Sequence, residues 1–158
     1  MLKYVDTQVV LREVPDEITL AINISNCPCH CDGCHSSYLA KDIGKDLTQR
    51  ALERLIRDHD SITCVAFMGG DSEPGIVNLL AEVVRKQGLK VCWYSGRQEL
   101  SDKIVLANFD YIKLGPYMKD LGPLDKSTTN QRFYEVHHIW RDNYHTMVDI
   151  TNKFWRNG

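Results

Sequence analysis

A dense run of cysteines between Asn26 and Ser37 is the part of this sequence whose residue types most clearly predict chemistry. Four of the six cysteines lie within eight positions, and three of them, Cys27, Cys31 and Cys34, have the spacing CxxxCxxC. Thiolates are soft metal ligands, so a segment of this kind is typical of an iron–sulfur site or a zinc site.

The zinc alternative requires a closed tetrahedral shell, usually completed by a second pair of ligands elsewhere in the chain. The remaining cysteines, Cys64 and Cys92, are isolated in the sequence and do not form such a pair. A cluster of four irons held by three cysteines leaves one iron open for a small molecule. The spacing therefore favours an open iron–sulfur cluster over structural zinc, with no ligand role for Cys29.

Short apolar runs predict the strands that position this segment. Each run is nearly continuous in its apolar residues, as expected for strands that are covered on both faces. The four predicted strands are Ile18–Ile24, Ile62–Met68, Leu89–Tyr94 and Phe109–Leu114. The cysteine segment follows directly after the first of them.

Helical periodicity predicts helices between these strands. The predicted helices are Leu47–Asp60 with Thr48 as a possible cap, a helix from Pro74 that ends at Gly88, and a short helix over Gln98–Ala107. The first 15 residues predict an edge strand or a hairpin. Residues 118–132 predict a loop, and residues 133–158 predict a short strand, Phe133–Val136, and a terminal helix.

Strands that alternate with helices predict a parallel sheet, whose ligands bind at the carboxyl ends of its strands. Every predicted strand ends in a special loop at that rim: the cysteines, Gly69-Gly70-Asp71, Ser95-Gly96, and Gly115-Pro116. Glycines allow close approach of the backbone to a ligand, and Asp71 could pair with an ammonium group. Ser95 could donate to a ribose or a carboxylate. For the Gly69-Gly70-Asp71 loop and the Ser95-Gly96 loop, the alternative is a plain turn at the end of a strand.

Four strand–helix units are too few for an eight-fold barrel, so the predicted fold is α/β, an open or partial parallel β/α barrel. The chain of 158 residues is expected to form a single domain, with a core over about 18–134 and a C-terminal tail over 135–158. The net charge of −2 predicts neither a nucleic-acid nor a membrane partner. With no signal peptide and clustered cysteines, the expected location is the cytoplasm.

Taken together, the CxxxCxxC segment, the Gly-Gly-acidic loop and the partial α/β barrel resemble the radical S-adenosylmethionine superfamily. Within it, the chain resembles the activating proteins of anaerobic (class III) ribonucleoside-triphosphate reductases. Three segments carry this narrower resemblance: Cys31-Asp32-Gly33-Cys34-His35, Tyr94-Ser95-Gly96 and Thr128-Thr129-Asn130-Gln131-Arg132. The sequence departs from the family at Lys113-Leu114-Gly115, where an acidic residue before glycine is common.

The resemblance implies that Cys27, Cys31 and Cys34 hold a 4Fe–4S cluster whose open iron binds S-adenosyl-L-methionine. It also implies that Gly69, Gly70 and Asp71 position the methionine amino group and that Ser95 touches the ribose or the carboxylate. The implied electron donor is a reduced flavodoxin or ferredoxin, and the implied protein substrate is the anaerobic reductase.

The resemblance requires no catalytic acid–base pair beyond the cluster. One alternative is radical chemistry on another glycyl-radical enzyme or on a small molecule. A second alternative is a non-catalytic metal-binding interaction module.

Overall fold

The structure is a computed structural model that describes residues 1–29 and 37–155. The described residues form a mixed α/β fold with one eight-stranded sheet and two α-helices. The strands are β1 Lys3–Val10, β2 Thr19–Ile24, β3 Lys45–Asp46, β4 Cys64–Met68, β5 Lys90–Tyr94, β6 Tyr111–Leu114, β7 Arg132–Ile139 and β8 Tyr144–Asp149, and the helices are α1 Gln49–Arg57 and α2 Pro74–Lys86. Neither helix is long and apolar enough to span a bilayer.

The strand order is β3-β1-β2-β4-β5-β6-β7-β8. The central strands β2, β4, β5 and β6 run parallel, as the sequence predicts, and their carboxyl ends meet at one edge of the sheet. The flanking pairs β1–β2, β1–β3, β6–β7 and β7–β8 are antiparallel. The closure of this sheet into a partial barrel remains a prediction.

Both helices pack against one face of the sheet, where the larger apolar core lies. Thr48 caps α1 because its side chain accepts a hydrogen bond from the amide of Ala51 at 3.0 Å. Pro74 occupies the first turn of α2, and Gly88 follows its end with a φ of +80°. The predicted cap at Thr48, the start at Pro74 and the glycine stop are confirmed, whereas α1 spans Gln49–Arg57 and is shorter than the predicted Leu47–Asp60.

The opposite face of the sheet carries a smaller cluster that no α-helix of the described residues covers. Its buried members are Val14, Cys64, Ala66, Cys92, Tyr111 and Phe133. Phe154, in the 3-10 turn Thr151–Phe154, packs on this cluster with its ring 4.8 Å from that of Phe133. The chain after β1 and the chain after β8 therefore cover this face together.

The predicted helix over Gln98–Ala107 is wrong. The structure has only a 3-10 turn at Leu106–Asn108, because side chains bond the local backbone in place of a helical ladder. Asn78 of α2 accepts a hydrogen bond from the amide of Val105 at 2.8 Å, and Ser101 accepts one from Lys103 at 3.2 Å.

The predicted terminal helix is also wrong. The strand predicted at Phe133–Val136 extends to Ile139, and Asn143, with a φ of +49°, turns the chain into β8. Most of the predicted tail up to Asp149 thereby forms two strands of the sheet, joined by the 3-10 turn Trp140–Asp142.

Candidate cofactor-binding site

A cavity of about 900 Å³ lies at the carboxyl ends of the parallel strands. Three of the predicted site residues, Cys27, Gly69 and Asp71, line it. Two neighbours of predicted residues, Cys29 and Gly96, line it as well. Loops that follow β2, β4 and β5 thus meet at one cavity, which is the arrangement expected for a parallel sheet.

Cys27 follows β2 almost directly and lies half-buried in the cavity wall. Asn26 has a φ of +60°, a conformation that asparagine tolerates better than most residues, and it turns the chain out of the strand. The Cys27 amide donates to the carbonyl of Leu39 at 2.9 Å, and the Asn26 amide donates to that of Lys41 at 3.1 Å. These bonds fix the start of the cysteine segment against the chain that follows it.

Cys31 and Cys34 lie outside the described residues, so their ligand role stays a prediction. Among residues 1–29 and 37–155, no three His, Cys, Asp or Glu side chains converge on a metal position. Cys29 and Leu39, one on each side of the intervening segment, both line the cavity. Described residues on both sides of Cys31 and Cys34 in the sequence therefore reach the cavity wall, and thiols have the chemistry that an iron–sulfur cluster requires.

The two glycines after β4 have different surroundings. Gly69 has a φ of +110° and is held on both sides, because its carbonyl accepts from the Trp93 indole at 2.7 Å and its amide donates to the Tyr94 carbonyl at 3.0 Å. Gly70 has a φ of +97° and faces the core: a Cβ there would lie 2.6 Å from Val77. Gly69 is therefore the glycine of this loop that faces the cavity.

Asp71 is the centre of a hydrogen-bond network that joins the loops after β4 and β5. One carboxylate oxygen accepts from the Ser95 hydroxyl at 2.5 Å, and the other accepts from the Gly96 amide at 2.8 Å. Ser95 is only 1% exposed, and its hydroxyl also accepts from the amide of Arg97 at 3.1 Å. Ser95 thus lies behind Asp71, and its predicted contact with a ribose or carboxylate stays a prediction.

Cys29 lies against this network. Its Sγ is 3.8 Å from the second carboxylate oxygen of Asp71. A Cβ at Gly96 would lie 2.7 Å from the same sulfur, so only glycine leaves room for the thiol at this position. The loop after β5 and the cysteine segment are therefore in direct contact.

Two polar residues in the cavity wall were not predicted as site residues. Lys113 of β6 is 8% exposed, and its ammonium donates to the carbonyls of Ser95 at 3.0 Å and Gly115 at 2.9 Å. Gln131 is 7% exposed and lines the cavity as well. The available signals were a lysine inside the apolar run Phe109–Leu114 and a glutamine in the segment at 128–132.

The far wall of the cavity comes from the covering segments on the same face of the sheet. The residues of this wall are Leu11, Arg12, Glu13, Pro15, Lys153, Phe154 and Trp155. The Tyr94 hydroxyl donates to the carbonyl of Glu13 at 2.5 Å and so fastens the first segment to β5. Burial raises the pKa of Tyr94 well above its usual value, which keeps the phenol protonated as a donor.

A family model described as a 4Fe-4S single cluster domain matches residues 18–137 of the chain. The matched range runs from the start of β2 into β7, so it includes the cysteine segment and the four parallel strands β2, β4, β5 and β6. No curated protein and no solved structure matches the chain.

Proposed function

Because this chain belongs to the family of 4Fe-4S single cluster domains, we propose that it is a radical S-adenosylmethionine activase for an anaerobic ribonucleoside-triphosphate reductase. The family supports the iron–sulfur cofactor, and the resemblance of the short segments described above supports the activase role. When bound, the cluster supplies one electron for the reductive cleavage of S-adenosylmethionine, which leaves methionine, 5′-deoxyadenosine and a glycyl radical on the reductase.

The observation that carries the proposal is the shared cavity. Cys27, Gly69 and Asp71 come from separate loops and line one space of about 900 Å³, which is within the range of small-molecule sites. Only three cysteines of the segment have the CxxxCxxC spacing, so a cluster held by them keeps one iron for a ligand in that space.

The chain's own residues supply charge and fixed geometry around the cavity. Cys27, with Cys31 and Cys34, would hold the cluster. The Gly69 carbonyl has a second lone pair, and Asp71 is anionic, so both favour an ammonium group on the ligand. The ammonium of Lys113 carries the opposite charge to Asp71 and therefore favours a carboxylate on the ligand. An amino acid moiety carries both groups.

The apolar part of the wall restricts water around the reacting atoms. Met68, Leu124 and Phe154 line the cavity beside the polar loops. The electron donor in this proposal is a reduced flavodoxin or ferredoxin, and the protein substrate is the glycine-bearing loop of the reductase.

Anaerobic reconstitution with iron and sulfide tests the proposal in two steps. The first readout is iron and sulfide content with the electron paramagnetic resonance spectrum of the reduced protein. The second is 5′-deoxyadenosine formed from S-adenosylmethionine after reduction, followed by the glycyl radical signal when the reductase is added. We expect a cluster, 5′-deoxyadenosine and the glycyl radical from the wild-type chain.

Single cysteine variants provide matched controls. Cys27→Ser, Cys31→Ser and Cys34→Ser should lose the cluster and the cleavage, whereas Cys29→Ser and Cys64→Ser should keep both. A stoichiometric zinc ion without cleavage would refute the proposal in favour of a metal-binding module. Cleavage without a radical on the reductase would instead leave another glycyl-radical enzyme or a small molecule as the substrate.

A further inference from the structure

Two histidine rings face each other across the β7–β8 hairpin. His138 and His145 are directly opposite in the antiparallel pairing of these strands, and their Nδ1 atoms are 2.7 Å apart. At this distance two bare nitrogen lone pairs repel each other, so the arrangement requires one cation between them, either a proton or a metal ion. The hairpin therefore holds a position for a single cation that two imidazoles share.

Each of these rings also has an oxygen acceptor at its other nitrogen. The Nε2 atom of His145 lies 3.1 Å from Oδ1 of Asn143, and the Nε2 atom of His138 lies 3.4 Å from Oδ1 of Asp110. Histidines that bind metals usually donate their second N–H to such an oxygen, which fixes the tautomer and orients the ring. Both rings can therefore carry a proton on Nε2 and leave Nδ1 for a metal ion.

Aromatic packing holds the two rings in place. The indole of Trp140 stacks on His138 with centroids 4.5 Å apart and an angle of 17° between the planes, and it meets His145 edge-on at 5.0 Å. The side chain of His138 is only 10% exposed. Because these rings are already ordered by the fold, a bound ion costs little further conformational freedom.

Arg85 of α2 determines how the protons are arranged with and without an ion. Its Nη2 atom lies 2.9 Å from Oδ1 of Asp110 and 3.1 Å from Nε2 of His138. With a proton between the Nδ1 atoms, Nε2 of His138 accepts from Arg85. With a metal ion there, the proton of His138 moves from Nδ1 to Nε2 and is donated to Asp110, which keeps its bond to Arg85. No proton leaves the pair, and only the guanidinium–imidazole hydrogen bond is lost.

The separation of the two nitrogens favours some metals over others. Nitrogens about 2.0–2.1 Å from a metal lie about 2.9 Å apart at a right angle and about 3.3 Å apart at the tetrahedral angle. The observed 2.7 Å is therefore closer to neighbouring positions of a square-planar or octahedral ion. Ni²⁺ and Cu²⁺ adopt such geometries with nitrogen and oxygen ligands, whereas Zn²⁺ prefers tetrahedral coordination.

We propose that His138 and His145 bind one divalent transition-metal ion of the Ni²⁺ or Cu²⁺ type through their Nδ1 atoms, with water in the remaining coordination positions. The ion would join β7 to β8 beside the hairpin turn. This proposal is independent of the proposed radical chemistry, because it uses neither the cysteine segment nor the loops around the cofactor cavity.

Calorimetric titration of Ni²⁺ into the full, untagged chain with its cysteine segment already loaded tests the site. Wild type should bind one Ni²⁺ more than His145→Gln, which is measured in parallel so that binding at thiols is common to both. Ni²⁺ well below one equivalent should also broaden the ring proton signals of His138 and His145 in NMR before those of His59. This second measurement uses the wild-type chain, so it does not depend on the folding of a variant.

Two further variants separate a metal site from general histidine binding. His137→Gln is the matched control, because His137 is next in sequence, lies on the other face of β7 and bonds Glu135 at 2.7 Å, and this variant should keep the Ni²⁺. Asn143→Gly removes the acceptor at His145 while glycine suits the φ of +49°, and it should weaken binding about tenfold. Equal Ni²⁺ binding by wild type and His145→Gln, loss of the ion in His137→Gln, unchanged affinity in Asn143→Gly, or tighter binding of Zn²⁺ than of Ni²⁺ would each overturn the proposal.

Discussion

Replacing Gly96 by alanine tests the contact between the loop after β5 and the cysteine segment. The added Cβ would lie 2.7 Å from the Sγ of Cys29 and 3.2 Å from its Cβ, whereas ordinary contacts begin at 3.4 Å. The sulfur must therefore move by about 0.7 Å, as in an overpacked site. Gly96 is not among the residues with a positive φ, so its backbone accommodates alanine and the strain comes from this contact.

The movement should affect cofactor chemistry more than folding. Overpacking costs about 1–3 kcal/mol, which for a chain of this length lowers Tm by a few degrees per kcal/mol. Cys29 has no predicted ligand role, but it lies two residues from the predicted ligand Cys27, so its shift is expected to move the segment that would hold the cluster. A displacement approaching 1 Å of groups that position reacting atoms can cost roughly tenfold to hundredfold in rate. We therefore expect Gly96→Ala to stay folded and to cleave S-adenosylmethionine at least about tenfold more slowly per reconstituted cluster.

The assay is 5′-deoxyadenosine formation normalised to bound iron, with Tm measured in parallel. Gly75→Ala is the matched control, because its added Cβ has no neighbour within 4 Å and alanine is the better helix former. In the double variant with Cys29→Ala, the sulfur is absent and most of the lost activity should return. Full activity in Gly96→Ala, or no recovery in the double variant, would refute this reasoning.

Three other perturbations concern Asp71, the β7–β8 hairpin and the buried thiols. Ser95→Ala removes a buried hydrogen bond to the Asp71 carboxylate and should cost about 1.5–3 kcal/mol in denaturant unfolding, whereas Ser95→Thr should keep most of it. Burial, with a smaller contribution from a nearby guanidinium, lowers the pKa of His138 below its usual 6.5. As pH falls, His138 therefore binds a proton in the unfolded protein before it does so in the folded protein. Stability should fall as pH drops below 6.5, and the His138→Gln variant should show a smaller decrease in Tm over the same pH range. Cys64 and Cys92 are fully buried, and burial raises the pKa of both thiols, so a thiol reagent should modify them only after denaturation.

The parallel core was predictable because its strands are continuous apolar runs with glycine-rich stops. The irregular structure of Gln98–Ala107 was not predictable from the sequence. The Val105 amide donates to Asn78, which lies in α2, and this hydrogen bond competes with a local helix. Strand β8 was missed for a related reason: its residues Tyr144–Asp149 become a strand by pairing with β7, which local periodicity does not contain.

The site was predictable to the level of which loops meet, since the carboxyl ends of parallel strands share an edge. The roles of individual side chains were less predictable. From the sequence, a serine after a strand could equally donate a hydrogen bond to a bound ligand or to a neighbouring carboxylate. Only the structure shows that Ser95 donates to Asp71. The position of Lys113 depends on two carbonyls from separate loops, which its own sequence context does not indicate.

The network around Asp71 has a consequence for ligand affinity. The indole of Trp93 and the amide of Gly96 donate to Gly69 and Asp71 in the loop after β4, and the amide of Gly69 donates back to the carbonyl of Tyr94. Hydrogen bonds in both directions therefore fasten this loop to the end of β5 and the loop after it. Their amide protons should therefore exchange with solvent as one cooperative unit rather than as two independent loops. Since this ordering occurs during folding, binding loses little further conformational entropy, and the cavity is preorganised for its ligand.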